Sequence, residues 1–294
     1  MKALIKSMRL RTLPLSLAGV VCGGLLAQGE HGDNGWTFAL VLLTACALQV
    51  LSNLSNEMGD HLSGVDGEGR EGPNYGMTDG GLTVKQMWRA INGTVVACCV
   101  IGLAMVLVSG SPWWVLLLGA AAIWAATHYT LGKKPYGYIG LGDLFVFIFF
   151  GLVSVLGSYF VIAHTIPFKI WLWTPAVGMG LLSVAVLNVN NIRDMESDQG
   201  IRKTIPLRIG KRWAKIYQTL LVALGVACFM WNEEHMAFGA ITVPFFLWHI
   251  IGVWRRDGKR LDPMLPLLVI STFVLAVIYG EVYNVEATCP YPIW

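Results

Sequence analysis

The feature that most restricts the fold of this chain is the regular return of apolar segments, each long enough to cross a membrane as a helix. A helix needs about 20 apolar residues for this crossing. Of the 294 residues, 55% are hydrophobic and only 13% are charged, which excludes a soluble globular domain. The pattern predicts an all-α, polytopic membrane protein with a single domain over residues 1–294. Nine segments are predicted to be transmembrane helices, at approximately 13–28, 36–56, 87–109, 113–130, 142–163, 171–190, 212–231, 237–254 and 264–283.

The distribution of basic residues predicts how these helices are oriented. If the N-terminus faces the cytoplasm, all lysines and arginines except Lys169 fall in the inner segments or the adjoining helix ends, so that 20 of 21 lie on one side. Lys and Arg accumulate in the cytoplasmic loops of membrane proteins. We therefore expect a cytoplasmic N-terminus, and residues 1–12 are predicted to form a short amphipathic helix on the membrane surface.

An Asp-rich motif follows the sixth apolar segment, in the sequence NVNNIRDMESDQGIRKT (188–204). Asp194 and Asp198 are four residues apart, which on a helix places both side chains on one face. Paired carboxylates suit Mg²⁺, which keeps several waters and shares its remaining positions with phosphate oxygens. Arg193 and Lys203, with Arg202 close by, are predicted to bind the rest of a diphosphate. A single DxxxD is common on any helix, so this motif alone is weakly specific.

A similar motif follows the second apolar segment, in the sequence NLSNEMGDHLSGVD (53–66). Two asparagines three residues apart open it, as in the first motif described, which predicts two pseudo-repeated halves with the site between them. Asparagine and aspartate at the end of an apolar helix are unfavourable unless they face a cavity. Loops 57–86 and 191–211 are therefore predicted to cap a central polar cavity on the cytoplasmic side. The alternative is a solvated acidic loop. The candidate residues are Asn56, Asp60, Asp66 and Arg70.

Two basic segments lie on the same predicted side. In YTLGKKPY (129–136), Lys133 and Lys134 are candidates for binding a diphosphate, and Tyr129 is a candidate to face the reacting carbon. The alternative is an ordinary positively charged anchor with an interfacial tyrosine. Arg9 and Arg11, which precede the first apolar segment, have the same two interpretations.

The order of these motifs resembles that of the UbiA superfamily of intramembrane prenyltransferases, whose pattern is NDxxDxxxD, YxxxK and DxxxD. Within this superfamily the chain is similar to the branch that prenylates 1,4-dihydroxy-2-naphthoate in menaquinone synthesis. Glu57 departs from the pattern, because the family usually has Asp there, and Lys203 is taken as the family's basic residue after the second motif. The segments that carry the resemblance are RTLP (11–14), LSNLSNEMGDHLSGVD (51–66), GPNYGM (72–77), YTLGKKPYGYIGLGD (129–143) and NNIRDMESD (190–198).

The resemblance implies nine helices around a central cavity in the bacterial cytoplasmic (inner) membrane, with the active site facing the cytoplasm. It implies transfer of a polyprenyl group from polyprenyl diphosphate to 1,4-dihydroxy-2-naphthoate, with loss of CO₂ and Mg²⁺ as cofactor, giving demethylmenaquinone. The implied catalytic residues are Asn56, Asp60, Tyr129, Asn191 and Asp194. The implied metal ligands are Asp60, Asp66, Asp194 and Asp198. The implied diphosphate-binding residues are Arg9, Arg11, Arg70, Lys133, Lys134, Arg193 and Lys203.

Other functions are compatible with parts of the pattern. A different aromatic acceptor, such as 4-hydroxybenzoate or homogentisate, requires the same carboxylates. A secondary transporter also has repeated halves, but it predicts polar residues near the bilayer midplane, whereas the acidic residues here cluster at the inner edge. The P-loop sequence GxxxxGK[ST] is absent, and no nucleic-acid partner is expected because the basic residues follow the topology.

Overall fold

Nine long helical segments, named α1 to α9, account for most of the chain that the computed structural model describes, which is residues 2–32, 35–64, 75–231 and 239–288. Each of the nine predicted apolar segments overlaps one of them. A short helix, Lys2–Ser7, and a 3₁₀ turn, Leu10–Thr12, precede α1. The nine helices are α1 Leu13–His31, α2 Gly35–Ser63, α3 Val84–Ser109, α4 Val115–His128, α5 Gly142–Ala163, α6 Ile170–Arg193, α7 Lys211–Phe229, α8 Val243–Arg255 and α9 Met264–Thr288.

Six of these helices are long and apolar enough to cross a membrane within the described residues: α1, α2, α3, α5, α6 and α9. The other three differ in length or polarity. Helices α4 and α8 have 14 and 13 residues, which at about 1.5 Å per residue is shorter than the hydrocarbon core. Helix α7 has 19 residues and begins with the basic sequence KRWAK. The prediction of an all-helical, multi-pass membrane protein is confirmed.

Two helix starts follow familiar capping rules. Pro14 stands in the first turn of α1, where its missing N–H has no partner to lose. Helix α3 begins with a capping box, in which the Thr83 hydroxyl accepts from the Gln86 N–H at 3.3 Å and the Gln86 side chain accepts from the Thr83 N–H at 2.9 Å. These signals fix where the helices leave the loops that precede them.

Helix α1 lies at the centre of the bundle, in contact with α2, α5, α6 and α9. Its small residues Ala18, Cys22 and Ala27 are fully buried in the largest apolar core of the protein. Large apolar side chains are exposed on the outer helices, among them Leu107 of α3 and Leu117 of α4. An apolar exterior of this kind suits contact with lipid rather than water.

Contacts between helix ends fall on two opposite faces. On one, the Thr130 hydroxyl after α4 donates to the Ser55 carbonyl of α2 at 3.0 Å, and Lys215 of α7 donates to the Arg256 carbonyl after α8 at 2.9 Å. On the other, Tyr279 of α9 donates to the Trp171 carbonyl of α6 at 2.9 Å. The first face, called the motif face, carries residues 2–12, 129–141, 194–210 and 256–263.

Candidate functional site

The C-terminal end of α2 brings the first motif to the motif face. Asn53 is 4% exposed, and its amide donates to the Met8 carbonyl at 2.8 Å and to the Thr12 hydroxyl at 3.0 Å. One turn later, the Asn56 side-chain oxygen accepts from the Thr130 hydroxyl at 3.3 Å. Asn53 therefore anchors the N-terminal segment, while Asn56 faces the loop between α4 and α5.

Gly59 allows this loop to approach α2 closely. A Cβ added at this position would lie 2.4 Å from the Thr130 hydroxyl oxygen and 2.5 Å from its carbonyl oxygen. Any side chain here would separate α2 from residue 130, because both contacts are far inside van der Waals distance. The glycine thus holds Asn56 and Asp60 beside the segment that contains Tyr129.

The second motif begins at the end of α6. Asn188 is fully buried and donates to the Ala214 carbonyl at 3.1 Å and to the Gln218 side chain at 2.9 Å. Gln218 in turn contacts His249 of α8 at 3.0 Å. Asn191, one turn after Asn188, is also buried. The first asparagine of this motif therefore joins three helices through buried hydrogen bonds.

Helix α6 ends at Arg193, so the predicted helical face through both carboxylates of the second motif does not form. Asp194 is the C-cap residue, and residues 194–201 form turns. Both oxygens of Asp194 accept from Arg193, at 2.8 Å each, and Arg193 also donates to Asp262 at 2.9 Å. Asp198 points elsewhere, although its N–H still bonds the Asp194 carbonyl at 2.9 Å.

Arg202 joins the two motifs. Its guanidinium Nη2 donates to Oδ1 of Asp60, and its Nε lies 3.6 Å from Oδ1 of Asp198. The two carboxylates are 6% and 1% exposed. The Tyr138 hydroxyl also donates to Asp60 at 3.0 Å, and the Tyr138 ring centre lies 4.9 Å from the guanidinium carbon. One cation from the second half of the chain thus lies between a carboxylate of each motif.

The charge of Arg202 is secure in this position. Burial acts to lower its pKa, but the neighbouring carboxylates of Asp60 and Asp198 outweigh burial and raise the pKa above its ordinary value. Two buried carboxylates close together repel each other unless a cation lies between them. The site therefore has the charge pattern of a cation-binding centre.

The loop between α4 and α5 contributes aromatic side chains and exposed lysines. Tyr129 packs edge-on against Tyr136, with ring centres 5.4 Å apart. Lys133 and Lys134 are exposed on the motif face. The Tyr138 carbonyl accepts from the Lys203 N–H at 2.9 Å, and the Lys203 side chain is exposed. The loop thus connects to both motifs through Tyr138.

The N-terminal arginines lie against Tyr75. The guanidinium carbon of Arg9 is 3.7 Å from the centre of this ring, and Arg11 donates to the Tyr75 hydroxyl at 2.9 Å. Arg9 has a left-handed backbone, with φ of 49° and ψ of 50°, and it separates the helix Lys2–Ser7 from the turn Leu10–Thr12. The predicted amphipathic helix over 1–12 is therefore interrupted at this residue.

Glu57, which departs from the family pattern, is fully buried and accepts from the Met77 N–H at 2.6 Å. In this structure its carboxylate holds the backbone that precedes α3. Asp66 and Arg70, both predicted site residues, lie outside the described residues.

The carboxylates fit an oxygen-preferring divalent cation in part. Asp60 and Asp198 offer oxygen donors to one point between the two motifs, now taken by Arg202, and such donors suit Mg²⁺. Among the described residues, no group of three or more His, Cys, Asp or Glu side chains lies close enough to hold a metal. Waters and phosphate oxygens would have to complete the coordination.

No role was predicted for Tyr138, Gln218 or His249, and Arg202 was predicted only as a cation close to the diphosphate, whereas Lys203 was a named diphosphate-binding candidate. The position of Arg202, four residues after Asp198, was the available signal, since such a pair approaches across one turn. The partners of Tyr138 and Gln218 come from distant parts of the chain and carry no such signal.

A multi-pass helical protein with two converging Asp motifs at one membrane edge matches a known class. Residues 16–268 match the UbiA prenyltransferase family, and the chain belongs to this family. The resemblance drawn from the motifs is thereby confirmed.

The relatives are similar over almost the whole chain. The 1,4-dihydroxy-2-naphthoate octaprenyltransferase of Escherichia coli (strain K12) is 42% identical over 299 residues, covering 95% of this chain and 96% of that protein. The apo structure of a UbiA homolog from Aeropyrum pernix K1 has a TM-score of 0.71 at 16% identity, covering 92% of this chain and 97% of that one. A UbiA homolog from Archaeoglobus fulgidus bound to DMAPP and Mg²⁺ has a TM-score of 0.65 at 15% identity, covering 96% and 99%. The two structures establish the fold.

Proposed function

We propose that this protein transfers a polyprenyl group from polyprenyl diphosphate to 1,4-dihydroxy-2-naphthoate, in menaquinone biosynthesis. The observation that carries the proposal is the 42% identity to the Escherichia coli octaprenyltransferase over nearly the full length of both chains. The site supports it, because carboxylates of both Asp motifs meet at one point on the motif face. We include in the proposal the loss of CO₂ from the acceptor, which gives demethylmenaquinone.

The chemistry requires charge stabilisation more than acid–base catalysis. Breaking the allylic C–O bond leaves positive charge on carbon and negative charge on the departing diphosphate. Asp60 and Asp198, with Asp66 and Asp194, are the residues proposed to hold Mg²⁺, which when bound neutralises the diphosphate and makes it a better leaving group. The Archaeoglobus fulgidus homolog was solved with DMAPP and Mg²⁺, which is the same combination.

Basic side chains are proposed to hold the diphosphate oxygens that remain. Lys133, Lys134 and Lys203 are exposed on the motif face, where they can bind an anion without losing an existing partner among the described contacts. Arg9 and Arg11 lie farther along the same face against Tyr75. Arg193 is occupied by Asp194 and Asp262, so its proposed role requires it to exchange one of them.

Aromatic side chains are proposed to stabilise the allylic cation and exclude water. The rings of Tyr129, Tyr136 and Phe145 pack in series, with centres 5.4 Å and 4.1 Å apart. The face of an aromatic ring attracts a cation, and a water-poor site protects the reactive carbon from hydrolysis. Asn56 and Asn191 are proposed to orient the ligating carboxylates.

The membrane arrangement is part of the proposal. We place all nine helices across the bacterial cytoplasmic membrane, in two pseudo-repeated halves around a central cavity, with the N-terminus and the motif face in the cytoplasm. Support comes from the alternation of helix ends between two faces in the described residues and from the sequence, which assigns all lysines and arginines but one to the predicted inner segments or the adjoining helix ends. The polyprenyl tail would lie among apolar helices.

The test is prenyl transfer by the full-length protein in detergent or nanodiscs. Purified protein is given 1,4-dihydroxy-2-naphthoate, an all-trans polyprenyl diphosphate and Mg²⁺, and the products are followed by mass spectrometry with and without a chelator. We expect Mg²⁺-dependent demethylmenaquinone, lost in Asp60→Ala and retained in Asp79→Ala, whose carboxylate pairs with Lys6 instead. Product with 4-hydroxybenzoate but none with the naphthoate would show that the acceptor is 4-hydroxybenzoate and that the naphthoate assignment is wrong. No transfer to either acceptor from folded protein would reject the proposal.

A further inference from the structure

Arg202 stands where the two motifs need a positive charge. It lies between Asp60 and Asp198, both of them buried, and its side chain is 13% exposed. Removing one partner of such a buried ion pair strongly destabilises a protein, because a buried charge is left without compensation. Arg202 therefore keeps the end of α2 and the turn that follows α6 together.

The same oxygens are the ones proposed to bind Mg²⁺. Arg202 contacts Oδ1 of Asp60 and Oδ1 of Asp198, and a guanidinium and a divalent ion repel each other at such short range. The two carboxylates with Arg202 carry one net negative charge. Arg202 must therefore leave these oxygens whenever Mg²⁺ takes them, and it then needs another anion as its partner.

A cleft next to Arg202 is a candidate binding site for that anion. The cleft has a volume of ≈ 540 Å³ and opens on the motif face. Three of its lining residues are basic, which makes it suitable for a diphosphate: Arg202, Lys203 and Arg208. Residues 198–201 form turns and residues 202–204 have no regular secondary structure, so Arg202 lies outside any helix.

Arg208, one of the residues that line the cleft, is held in place by close contacts. Arg208 donates to the Ile139 carbonyl at 2.8 Å, and Gly140 has φ of +89°, in the region that favours glycine. A Cβ added at Gly140 would lie 2.5 Å from the Arg208 guanidinium. The Tyr138 ring also lies against the Arg202 guanidinium. Arg202 contacts both carboxylates and also lines the cleft, so a change of its side-chain rotamer is enough to exchange one for the other.

We infer that Arg202 is a placeholder cation that holds Asp60 and Asp198 together until substrate arrives and then moves to the diphosphate as one of its ligands. This inference rests on the proposed function. A guanidinium suits both positions, because its fork of N–H groups binds carboxylate and phosphate with the same two-pronged geometry. The exchange couples binding of Mg²⁺ to binding of the diphosphate, since Arg202 lacks an anionic partner if Mg²⁺ binds alone.

Arg202→Gln is expected to change two binding affinities in opposite directions. Without its competitor, the variant should bind Mg²⁺ alone about tenfold more tightly than the wild type. With saturating Mg²⁺, it should bind inorganic pyrophosphate about tenfold more weakly, because one charged hydrogen-bond donor is lost. Isothermal titration of the full-length protein in detergent measures both. A purely structural role for Arg202 weakens both interactions together, and that result would overturn the inference.

Two variants control this experiment. Lys211→Gln removes a positive charge from the same face, where Lys211 lies 3.5 Å from Asp257 and outside the cleft, and it should leave both affinities unchanged. Arg202→Lys keeps the charge without the two-pronged geometry. We expect it to restore the wild-type affinity for Mg²⁺ and only part of the affinity for pyrophosphate.

A labelling experiment on the wild type avoids any problem of folding. Phenylglyoxal modifies accessible arginines, and peptide mass spectrometry reports the extent at Arg202. Mg²⁺ alone should raise labelling of Arg202, since the side chain leaves the carboxylates, and Mg²⁺ with pyrophosphate should lower it again. Labelling that Mg²⁺ alone leaves unchanged or lowers, in a preparation active in prenyl transfer, would overturn this inference only. A wild type inactive in transfer would overturn the proposed function and this inference together.

Discussion

The two Asp motifs use their first asparagines alike and their carboxylates differently. Asn53 and Asn188 are both buried, and each donates to a backbone carbonyl of a neighbouring segment, Met8 in one half and Ala214 in the other. Helix α2 then continues to Ser63 and carries Asp60 on its last turns, whereas α6 stops at Arg193. The repeat in the sequence thus preserves the anchor of each half, and the geometry after the anchor differs.

As a result, Asp194 and Asp198 have different partners. Asp194 is held by Arg193, which also binds Asp262 at the start of α9. Asp198 extends from the turn toward Asp60, with Arg202 between them. In the state described here, the contact between the two halves runs through Asp60, Arg202 and Asp198.

The largest expected effect is loss of activity when this contact loses a carboxylate. We expect Asp60→Asn and Asp198→Asn each to lower the rate of prenyl transfer by about 10²–10³-fold, since each removes charge stabilisation at the leaving group. Steady-state assays at saturating Mg²⁺ measure the effect. If either variant keeps more than a third of the wild-type activity, the carboxylate that it lacks is not part of the active site.

A smaller effect on stability should distinguish Asp194 from its partner in the motif. Asp194→Asn leaves Arg193, which is 7% exposed, with Asp262 alone, so we expect a loss of roughly 2 kcal/mol in the free energy of unfolding. Asp262→Asn should lose less, because Asp262 is 45% exposed and bonds Arg193 only once. Thermal unfolding in detergent, without Mg²⁺, compares the two. The reverse order of stabilities would contradict the arrangement at the end of α6.

The two buried asparagines, Asn53 and Asn188, should contribute similar amounts to the stability of the protein. Asn53→Ala removes three side-chain hydrogen bonds and Asn188→Ala removes two, and we expect each to lower the free energy of unfolding by about 1–3 kcal/mol. The Asn188 variant also leaves Gln218 with one partner fewer. Chemical unfolding of both variants tests the equivalence, and a negligible loss in one of them would show that the repeat does not extend to the anchors.

The smallest effect is expected for Glu57→Gln. The amide oxygen of Gln can still accept from the Met77 N–H, so both stability and Mg²⁺ affinity should stay near wild type. Glu57→Ala, which removes the acceptor from a fully buried site, serves as the comparison and should lose stability. A marked fall in Mg²⁺ affinity for Glu57→Gln would instead identify Glu57 as a metal ligand.

The sequence was sufficient to predict the helices but not the side-chain contacts of Asn53 and Asn188 or the contacts between loops. Hydropathy located all nine helical segments because burial in lipid or core requires long apolar runs. The spacing of Asn53 and Asn56 repeats that of Asn188 and Asn191, which led to the prediction of two pseudo-repeated halves. The end of α6 was missed, since nothing in NNIRDMESD forbids a further helical turn.

Side-chain partners were harder to predict for a physical reason. The choice between Arg202 and Lys203 depends on which one the turn after Asp198 directs inward, and the Lys203 N–H is fixed by the carbonyl of distant Tyr138. Arg9, which has a left-handed backbone, likewise packs on Tyr75, 66 residues away in the sequence. These are tertiary contacts, and local sequence pattern does not encode them.

The central claim is that Asp60 and Asp198, from different halves of the chain, act at one cation site. A double-mutant cycle on Mg²⁺ affinity in the presence of pyrophosphate tests it most directly, with Asp60→Asn, Asp198→Asn and the double variant measured by calorimetry. The two losses should be strongly non-additive, with a coupling energy of about 1–3 kcal/mol, because the second substitution acts on a site already impaired. Additive losses would contradict the claim, since they would place the two carboxylates at independent sites.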